Sequence, residues 1–239
     1  MKRCLLVCEG PCDELVFSIL KEVFDESLFE VKPLRRCCVD TPDLKNKAES
    51  LINEILSKEH GYLRTDFSEV CFLIDSDGIY TPESQIIENK SISTTNYKDT
   101  LIECPDKKPL ISRNNGRKAN ISDLLEDRKY WIFYNSRNLE HAFDSSLSGH
   151  LKDSFKKRFA LNTYCDYCGK GEEFIRKLNS MNKSNSTNIF KSWDYLKTGS
   201  NSLSSASNMF VFLVMHFYAL KDEYKKLVLG LIKGKNTSR

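Results

Sequence analysis

The chain has 239 residues, with 36 Lys plus Arg against 33 Asp plus Glu for a formal charge of +3, and it is 40% hydrophobic and 11% aromatic. That composition builds a packed core and excludes a disordered or fibrous chain, and the length suits one large domain or a domain with an appendage. The near balance of charge permits a nucleic-acid partner without arguing for one, and the longest apolar stretch, Met209 to Leu220 with His216 inside it, falls short of the roughly 20 residues needed to cross a bilayer.

In chain order, Cys4 to Cys8 is a short apolar run ending in Glu9-Gly10-Pro11, the profile of a strand buried on both faces and then broken by turn residues. Leu15, Val16, Ile19, Leu20 and Phe24 recur at helical spacing and predict a helix from about Cys12 to Phe24. Phe29 to Val39 reads as a second strand, and Ala48, Leu51, Ile52, Ile55 and Leu56 as a second amphipathic helix. Val70 to Ile74 is a third strand, ending in Asp75-Ser76-Asp77-Gly78. The order βαβαβ predicts a parallel sheet with right-handed crossovers.

From Ile79 to Asn120 the chain is polar, without clean periodicity and basic at its end (Lys107, Lys108, Arg113, Arg117, Lys118), which reads as a functional excursion or insert. A short helix from Ile121 to Arg128 leads into the aromatic strand Tyr130 to Tyr134, followed by Asn135-Ser136-Arg137-Asn138-Leu139-Glu140-His141. Beyond about residue 147 the pattern is helical, at 151–161 and 172–179. Between Asn179 and Asn208, 15 of 30 residues are Ser or Asn around an anchoring Trp193, which reads as a loop or flexible segment. A final helix is expected from Ala206 to Lys233. The division is therefore an α/β unit, residues 1–146 with an insert at about 79–120, and a mostly helical C-terminal region, residues 147–239.

The nine cysteines, at 4, 8, 12, 37, 38, 71, 104, 165 and 168, suggest no disulfide framework, and several lie in apolar runs where Cys behaves as a small hydrophobe. With no apolar segment near the N-terminus long enough for a signal peptide, the expected compartment is the reduced cytoplasm. Cys165-Asp166-Tyr167-Cys168-Gly169 has the turn of a zinc knuckle, but a structural zinc site needs four ligands, and His150 and Cys104 would have to complete it through folding.

In an open parallel sheet, ligands bind beyond the carboxyl ends of the strands. That edge collects Glu9 after the first strand, Asp75 and Asp77 after the third and Glu140 past the fourth. Carboxylates converging there repel unless cations neutralise them, and hard oxygen donors suit Mg2+ or Mn2+. The bland reading of any one acid is a solvated turn or a helix cap.

The arrangement resembles the Toprim family, the catalytic domain of topoisomerases, bacterial primases, OLD-type nucleases and small maturation ribonucleases. The likeness lies in Val7-Cys8-Glu9-Gly10-Pro11-Cys12-Asp13-Glu14 as the strand ending in Glu-Gly, and in Ile74-Asp75-Ser76-Asp77-Gly78 as the strand ending in Asp-x-Asp. Arg137-Asn138-Leu139-Glu140 is similar to the third acidic motif of OLD-type and phage-defence Toprim proteins. The resemblance covers roughly residues 1–146 and implies a Toprim-like, Rossmann-like fold. It also implies metal-dependent phosphodiester chemistry on DNA or RNA, with Glu9, Asp75 and Asp77 on one Mg2+ or Mn2+ ion and Glu140 on a second. Asp13 and Glu14 are possible additions, and Arg137 would meet charge on the phosphate. The chain is too short for a topoisomerase, and a primase's zinc module is not evident. It has no phosphate loop of the Gly-x4-Gly-Lys-Ser/Thr kind, so by analogy with two-component phage-defence systems a separately encoded ABC/OLD-type ATPase is the expected partner. The Ser/Asn-rich segment and terminal helix are then candidate docking surfaces, and a homo-oligomer is compatible with all of this.

Two other readings use the same residues. Phe72 to Tyr80 is also similar to the first motif of haloacid-dehalogenase-type phosphatases, in which Asp75 would be the nucleophile and Asp77 the general acid, but that leaves Glu9-Gly10 unexplained. The other is a non-catalytic Toprim binding module, against which the intact acids speak. The basic clusters 113–118, 152–158 and 225–239 could track phosphates or simply be solvated faces.

Overall fold

The computed structural model describes residues 3–58, 62–147, 149 and 151–236. Four parallel strands, β1 (Cys4–Cys8), β2 (Phe29–Pro33), β3 (Glu69–Asp75) and β7 (Trp131–Asn135), form the central sheet in the order β2-β1-β3-β7. Every side chain of β1 is buried, as expected of a strand covered by helices on both faces. The helices are α1 (Pro11–Phe17), α2 (Leu20–Val23), α3 (Leu44–Ser57), α4 (Lys107–Asp127) and α5 (Leu139–Phe143), then α6 (Asp153–Tyr167), α7 (Gly171–Met181), α8 (Ile189–Lys197), α9 (Met209–Met215) and α10 (Asp222–Asn236). A small second sheet, β4 (Ile86–Glu88), β6 (Ile102–Cys104) and β5 (Asn96–Tyr97), lies in the expected insert, with β4 and β6 parallel and β5 antiparallel. The fold is thus α/β, a parallel sheet flanked by helices. Among the described residues no helix is long and apolar enough to cross a membrane.

Several boundaries depart from the sequence reading. The second strand stops at Pro33, because proline has no N–H for the ladder, and Cys38–Asp40 form a 3-10 turn instead of further strand. The first helix breaks into α1 and α2. The largest correction is α4, which begins 14 residues before the expected Ile121. Its N-cap Asp106 accepts from the Lys108 amide at 3.0 Å, and its inward face is Leu110, Asn114, Arg117, Ile121, Leu124 and Leu125. The helical spacing is intact, but two of the buried positions are polar, so the apolar pattern does not show it.

The Ser/Asn-rich stretch also departs from the expected loop: it contains α8 and is packed. β7 is the outer strand of the sheet, and its free backbone groups are matched by this segment. Asn208 Oδ1 accepts from the Tyr134 amide at 2.7 Å while the Asn208 amide donates to the Tyr134 carbonyl at 3.1 Å. The Trp193 indole donates to the Ile132 carbonyl at 3.0 Å, and the Ser136 amide donates to the Ala206 carbonyl at 2.8 Å. Short polar side chains recur here because they satisfy a buried strand edge.

The expected terminal helix is likewise interrupted, into α9, a turn at Phe217–Ala219 and α10. Residues Met209 to Leu213 are fully buried, and Phe212 packs against Phe24, Phe29 and Phe133 with ring centroids 5.7, 6.0 and 5.2 Å away. The apolar core of the sheet therefore runs without interruption into α7, α8 and α9.

Candidate active site

The chain leaves β1 toward β2 on one side and reaches β7 from β3 on the other, so the direction of strand addition reverses between β1 and β3. A crevice opens at the carboxyl ends of such a strand pair. Glu9 follows β1, and Asp75 is the last residue of β3, so both sit on that edge. They line one cleft of about 390 Å³ with Asp13, Glu140, Lys156, Arg35, Arg36 and Cys37.

Each carboxyl is set by local structure. Asp13, in the first turn of α1, accepts from the Gly10 amide at 3.1 Å and is buried. Asp75 Oδ1 accepts from Asn135 Nδ2 at 3.2 Å across the β3–β7 pair. Glu140 opens α5, whose N-cap Asn138 accepts from the His141 amide at 3.0 Å. It opens a helix as the bland reading has it, yet it is only 2% exposed and faces the cleft.

Burial and mutual repulsion make this set costly as anions. Burial first, with Asp77 and Asp13 adding to it, pushes Glu9 up to about 8, and its Oε1 is sealed from solvent without a hydrogen-bond partner. Burial and then Glu140 raise Asp13 to about 7. Asp75 is pushed well above the carboxylate range by burial, then by Asp13, Glu9, Asp77 and Glu140, and burial raises Glu140 as well. Lys156, from α6, is the nearby counter-charge: burial alone would lower it, but Glu140, Asp75, Asp77 and Asp13 hold its proton more firmly.

Asp77 stands apart from the other acids. It and Gly78 both take left-handed backbone conformations, with φ +48° and +65°. A Cβ on Gly78 would lie 2.5 Å from Leu203 Cδ2, so that position requires glycine. The turn is tied to the end of β7 by the Ser76 and Asp77 amides, which donate to the Asn135 and Arg137 carbonyls at 2.8 and 3.1 Å, and by the Ser76 hydroxyl on the Ser136 carbonyl. Asp77 Oδ2 accepts from Arg117 at 3.0 Å, and the same buried guanidinium grips Asp40 through two bonds of 2.5 and 2.6 Å. Asp77 therefore lines a second cleft, of about 400 Å³, with Arg113, Arg137, Asn138, His141 and Lys156.

The structure thus brings Glu9, Asp13, Asp75 and Glu140 to one cleft and directs Asp77 and Arg137 to its neighbour, with Lys156 on the wall of both. Among the described residues no three of these carboxylates bring oxygens within 4.8 Å of one another; the one triad that close is Cys4, Cys71 and His216. The donor set fits a hard divalent cation in kind: several carboxylates, one with an orphaned buried oxygen, whose anions burial and mutual repulsion disfavour. Glu9, Asp75, Asp13 and Glu140 would hold it.

Arg137 is buried and donates to Asp99 at 3.1 Å, with its Nε unpartnered. Beside it, His141 donates from Nδ1 to Asn138 Oδ1 at 2.7 Å, which leaves a buried, unpartnered Nε2 as an acceptor. Burial, then Arg137 and Lys156, lower this imidazole to about 4, so it is neutral at ordinary pH. Sequence reading passed over His141, and it placed Arg117 and Lys156 only among basic clusters; their positions, seven residues after Leu110 and inside α6, become informative only once those helices are known. Arg35 and Arg36, exposed after β2, fall in the apolar and basic stretch read as the second strand, where nothing pointed to a site.

Cys165 and Cys168 lie exposed at the end of α6, and Cys104 is buried in the small core with Ile86 and Ile102. These cysteines do not assemble a ligand set among the described residues; His150, and residues 237–239 of the basic tail, lie outside them. No protein-family model matches the chain, and neither does any curated protein or solved structure.

Proposed function

We propose that the protein is a metal-dependent phosphodiesterase acting on DNA or RNA, a nuclease of the Toprim kind. The observation that carries the reading is the convergence of Glu9, Asp13, Asp75 and Glu140, from three different strand ends, on one cleft at the point where strand order reverses. Buried acids that raise one another's proton affinity are stable as anions only when a cation joins them.

Mg2+ or Mn2+ bound to these carboxylates would polarise a phosphoryl oxygen and activate water. The chain's own groups supply the remainder. Lys156, between the clefts, offers a fixed positive charge to a phosphate lying across them, and Arg35 extends that charge along the rim, while Arg36 there is paired with Glu54 at 3.0 Å. Neutral His141 holds an unpartnered acceptor Nε2 in the wall of the second cleft; in hydrolysis the water oxygen bonds to phosphorus as the bond to the leaving oxygen breaks, and the proton the water gives up passes through solvent to the leaving oxygen. Arg117 holds Asp77 and so fixes the turn that aims Asp75. On this reading a separately encoded ATPase and a role in phage defence belong to the same proposal, carried only by the likeness of the motifs.

The test is incubation of the purified chain with plasmid, single-stranded DNA and total RNA, with Mg2+, Mn2+ or a chelator. Metal-dependent cleavage lost equally in Glu9→Gln and Asp75→Asn supports the reading. Hydrolysis of small phosphomonoesters, abolished by Asp75→Asn and retained by Glu9→Gln, would instead favour a phosphatase with Asp75 as nucleophile.

A further inference from the structure

At the opposite end of the same two central strands lies a second group of ligating side chains. Cys4 opens β1, and Cys71 is the third residue of β3. His216 ends α9, which packs across the sheet. All three are buried, at 1%, 0% and 1% exposure. We propose that Cys4, Cys71 and His216 form a zinc site that clamps α9 to the sheet.

The geometry carries this. The two sulfurs are 3.8 Å apart, and Cys71 Sγ is 3.7 Å from His216 Nε2. A tetrahedral zinc with Zn–S of about 2.3 Å and Zn–N of about 2.0 Å has S–S edges of about 3.8 Å and S–N edges of about 3.5 Å. All three ligand atoms lie within 4.8 Å of one another, a closeness that no three of the acids at the other edge reach among the described residues. Two sulfurs and an imidazole are a soft set, which selects zinc over Mg2+ or Mn2+.

The surroundings match what a metal-bound histidine needs. His216 Nδ1 donates to the Phe212 carbonyl at 2.9 Å, which fixes the tautomer and turns the Nε2 lone pair toward the sulfurs. Glu69 Oε2 is 3.7 Å from that nitrogen and accepts from the Tyr218 hydroxyl at 3.0 Å. It stands just outside the triad, so the fourth position belongs to Glu69 turned inward or to a water. The Glu69 carboxylate is 30% and Tyr218 45% exposed, and they mark the entry path. The ligands come from residues 4, 71 and 216, so bound metal would join the N-terminal strand to the C-terminal helices, and its binding energy would add to folding stability.

The experiment uses the full chain, reduced, stripped of metal and titrated with Co2+ and then Zn2+. One Co2+ per chain, giving a sulfur-to-cobalt charge-transfer band that one equivalent of Zn2+ abolishes, together with a rise in Tm on adding Zn2+, is the expected result. The band should be lost in Cys4→Ala/Cys71→Ala and kept in Glu9→Gln, which leaves the acid cleft's role separable. Where the double variant does not fold, His216→Gln, which leaves both sulfurs in the core, should shift the band or lose it. The proposal is overturned if the reduced wild type gives no such band, or if a folded double variant keeps it.

Discussion

The two ends of β1 and β3 make opposite uses of one scaffold. At the amino end, Cys4, Cys71 and His216 are sealed beneath α9, with ligand atoms already at bonding-edge distances. At the carboxyl end, Glu9, Asp13, Asp75 and Glu140 surround an open cleft and stay farther apart. About five strand residues, or roughly 16 Å, separate the two ends. Soft ligands can wait in an apolar core because Cys4, Cys71 and His216 contact one another there, whereas carboxylates cannot be buried together unless they keep protons or gain a cation. A clamp therefore can be pre-assembled in a core, while an acid site remains open and strained until its partner arrives. That contrast predicts that substitutions at the two ends will have opposite effects on stability.

The largest effect that would sharpen the contrast is expected from Glu9→Gln, Asp75→Asn and Glu140→Gln. Each should lower metal-dependent cleavage by orders of magnitude while leaving Tm unchanged or raising it without metal, because each removes a carboxyl whose anion burial and its neighbours disfavour. Calorimetry beside a plasmid-nicking assay reads both. An acid variant that lost stability in step with activity would mean that the carboxylates hold the fold together, and the comparison between the two ends would fail.

These acids were legible in the sequence because two of the main-sheet strands are uninterrupted apolar runs followed at once by an acid, Glu9 and Asp75, and the aromatic run of β7 leads through a short polar turn to Glu140. Buried parallel strands force that pattern, so Glu9, Asp75 and Glu140 announce their edge. What was hidden was hidden by polarity at buried positions. α4 could not be recognised upstream of Ile121 because Asn114 and Arg117 face inward, and the Ser/Asn-rich stretch read as a loop because its side chains bond to the edge of β7 instead of filling apolar space. The Cys4–Cys71–His216 triad was invisible for the opposite reason: each member sits in an apolar run, where cysteine reads as packing. The distinction between Asp75 and Asp77 also needed the fold, since only α4 brings Arg117 to one and not the other.

A next, smaller effect concerns that arginine. Arg117 is 4% exposed and carries both Asp77 and Asp40, whose side chains are 32% and 44% exposed. Arg117→Met should destabilise the chain by about 3 kcal/mol, since it leaves two acids beside the cleft without their partner, with solvent at the half-exposed carboxylates limiting the loss. Added Mg2+ or Mn2+ should restore part of it. Chemical denaturation with and without metal makes the measurement; equal stability of variant and wild type would show that the turn at Asp77 needs no arginine.

The pH dependence is expected to follow in size. Glu9 and Asp13 bind protons up to about 8 and about 7 in the fold, against 4.5 and 3.8 ordinarily. Below about pH 3 both folded and unfolded chains are protonated at these sites. As pH rises through the window up to about 8, the unfolded chain gives up its protons first, so the metal-free protein should lose stability steadily there. Saturating Mn2+ should flatten the slope, because the ion displaces the same protons, and apparent metal affinity should rise over the same window. Thermal melts at several pH values test it. A metal-free protein that grew more stable from pH 5 to pH 8 would contradict the assigned proton affinities.

The smallest effect is expected at Cys165 and Cys168. Their spacing is the one in the sequence that most resembles a zinc ligand pair, yet both side chains are exposed at the end of α6, and no third ligand stands with them among the described residues. Cys4 and Cys71 lack any such spacing, being 67 residues apart, yet they converge because the register of β1 on β3 sets Leu6 beside Cys71 and Cys4 beside Glu69. Side chains two apart on a strand share a face, so the diagonal pair Cys4 and Cys71 turn the same way, toward His216. Cys165→Ser/Cys168→Ser should therefore leave the cobalt spectrum unaltered and change stability by less than about 0.5 kcal/mol, as exposed substitutions away from any network do. Loss of metal uptake in this variant, with Cys4 and Cys71 intact, would move the soft site from the buried end of the sheet to the surface of α6.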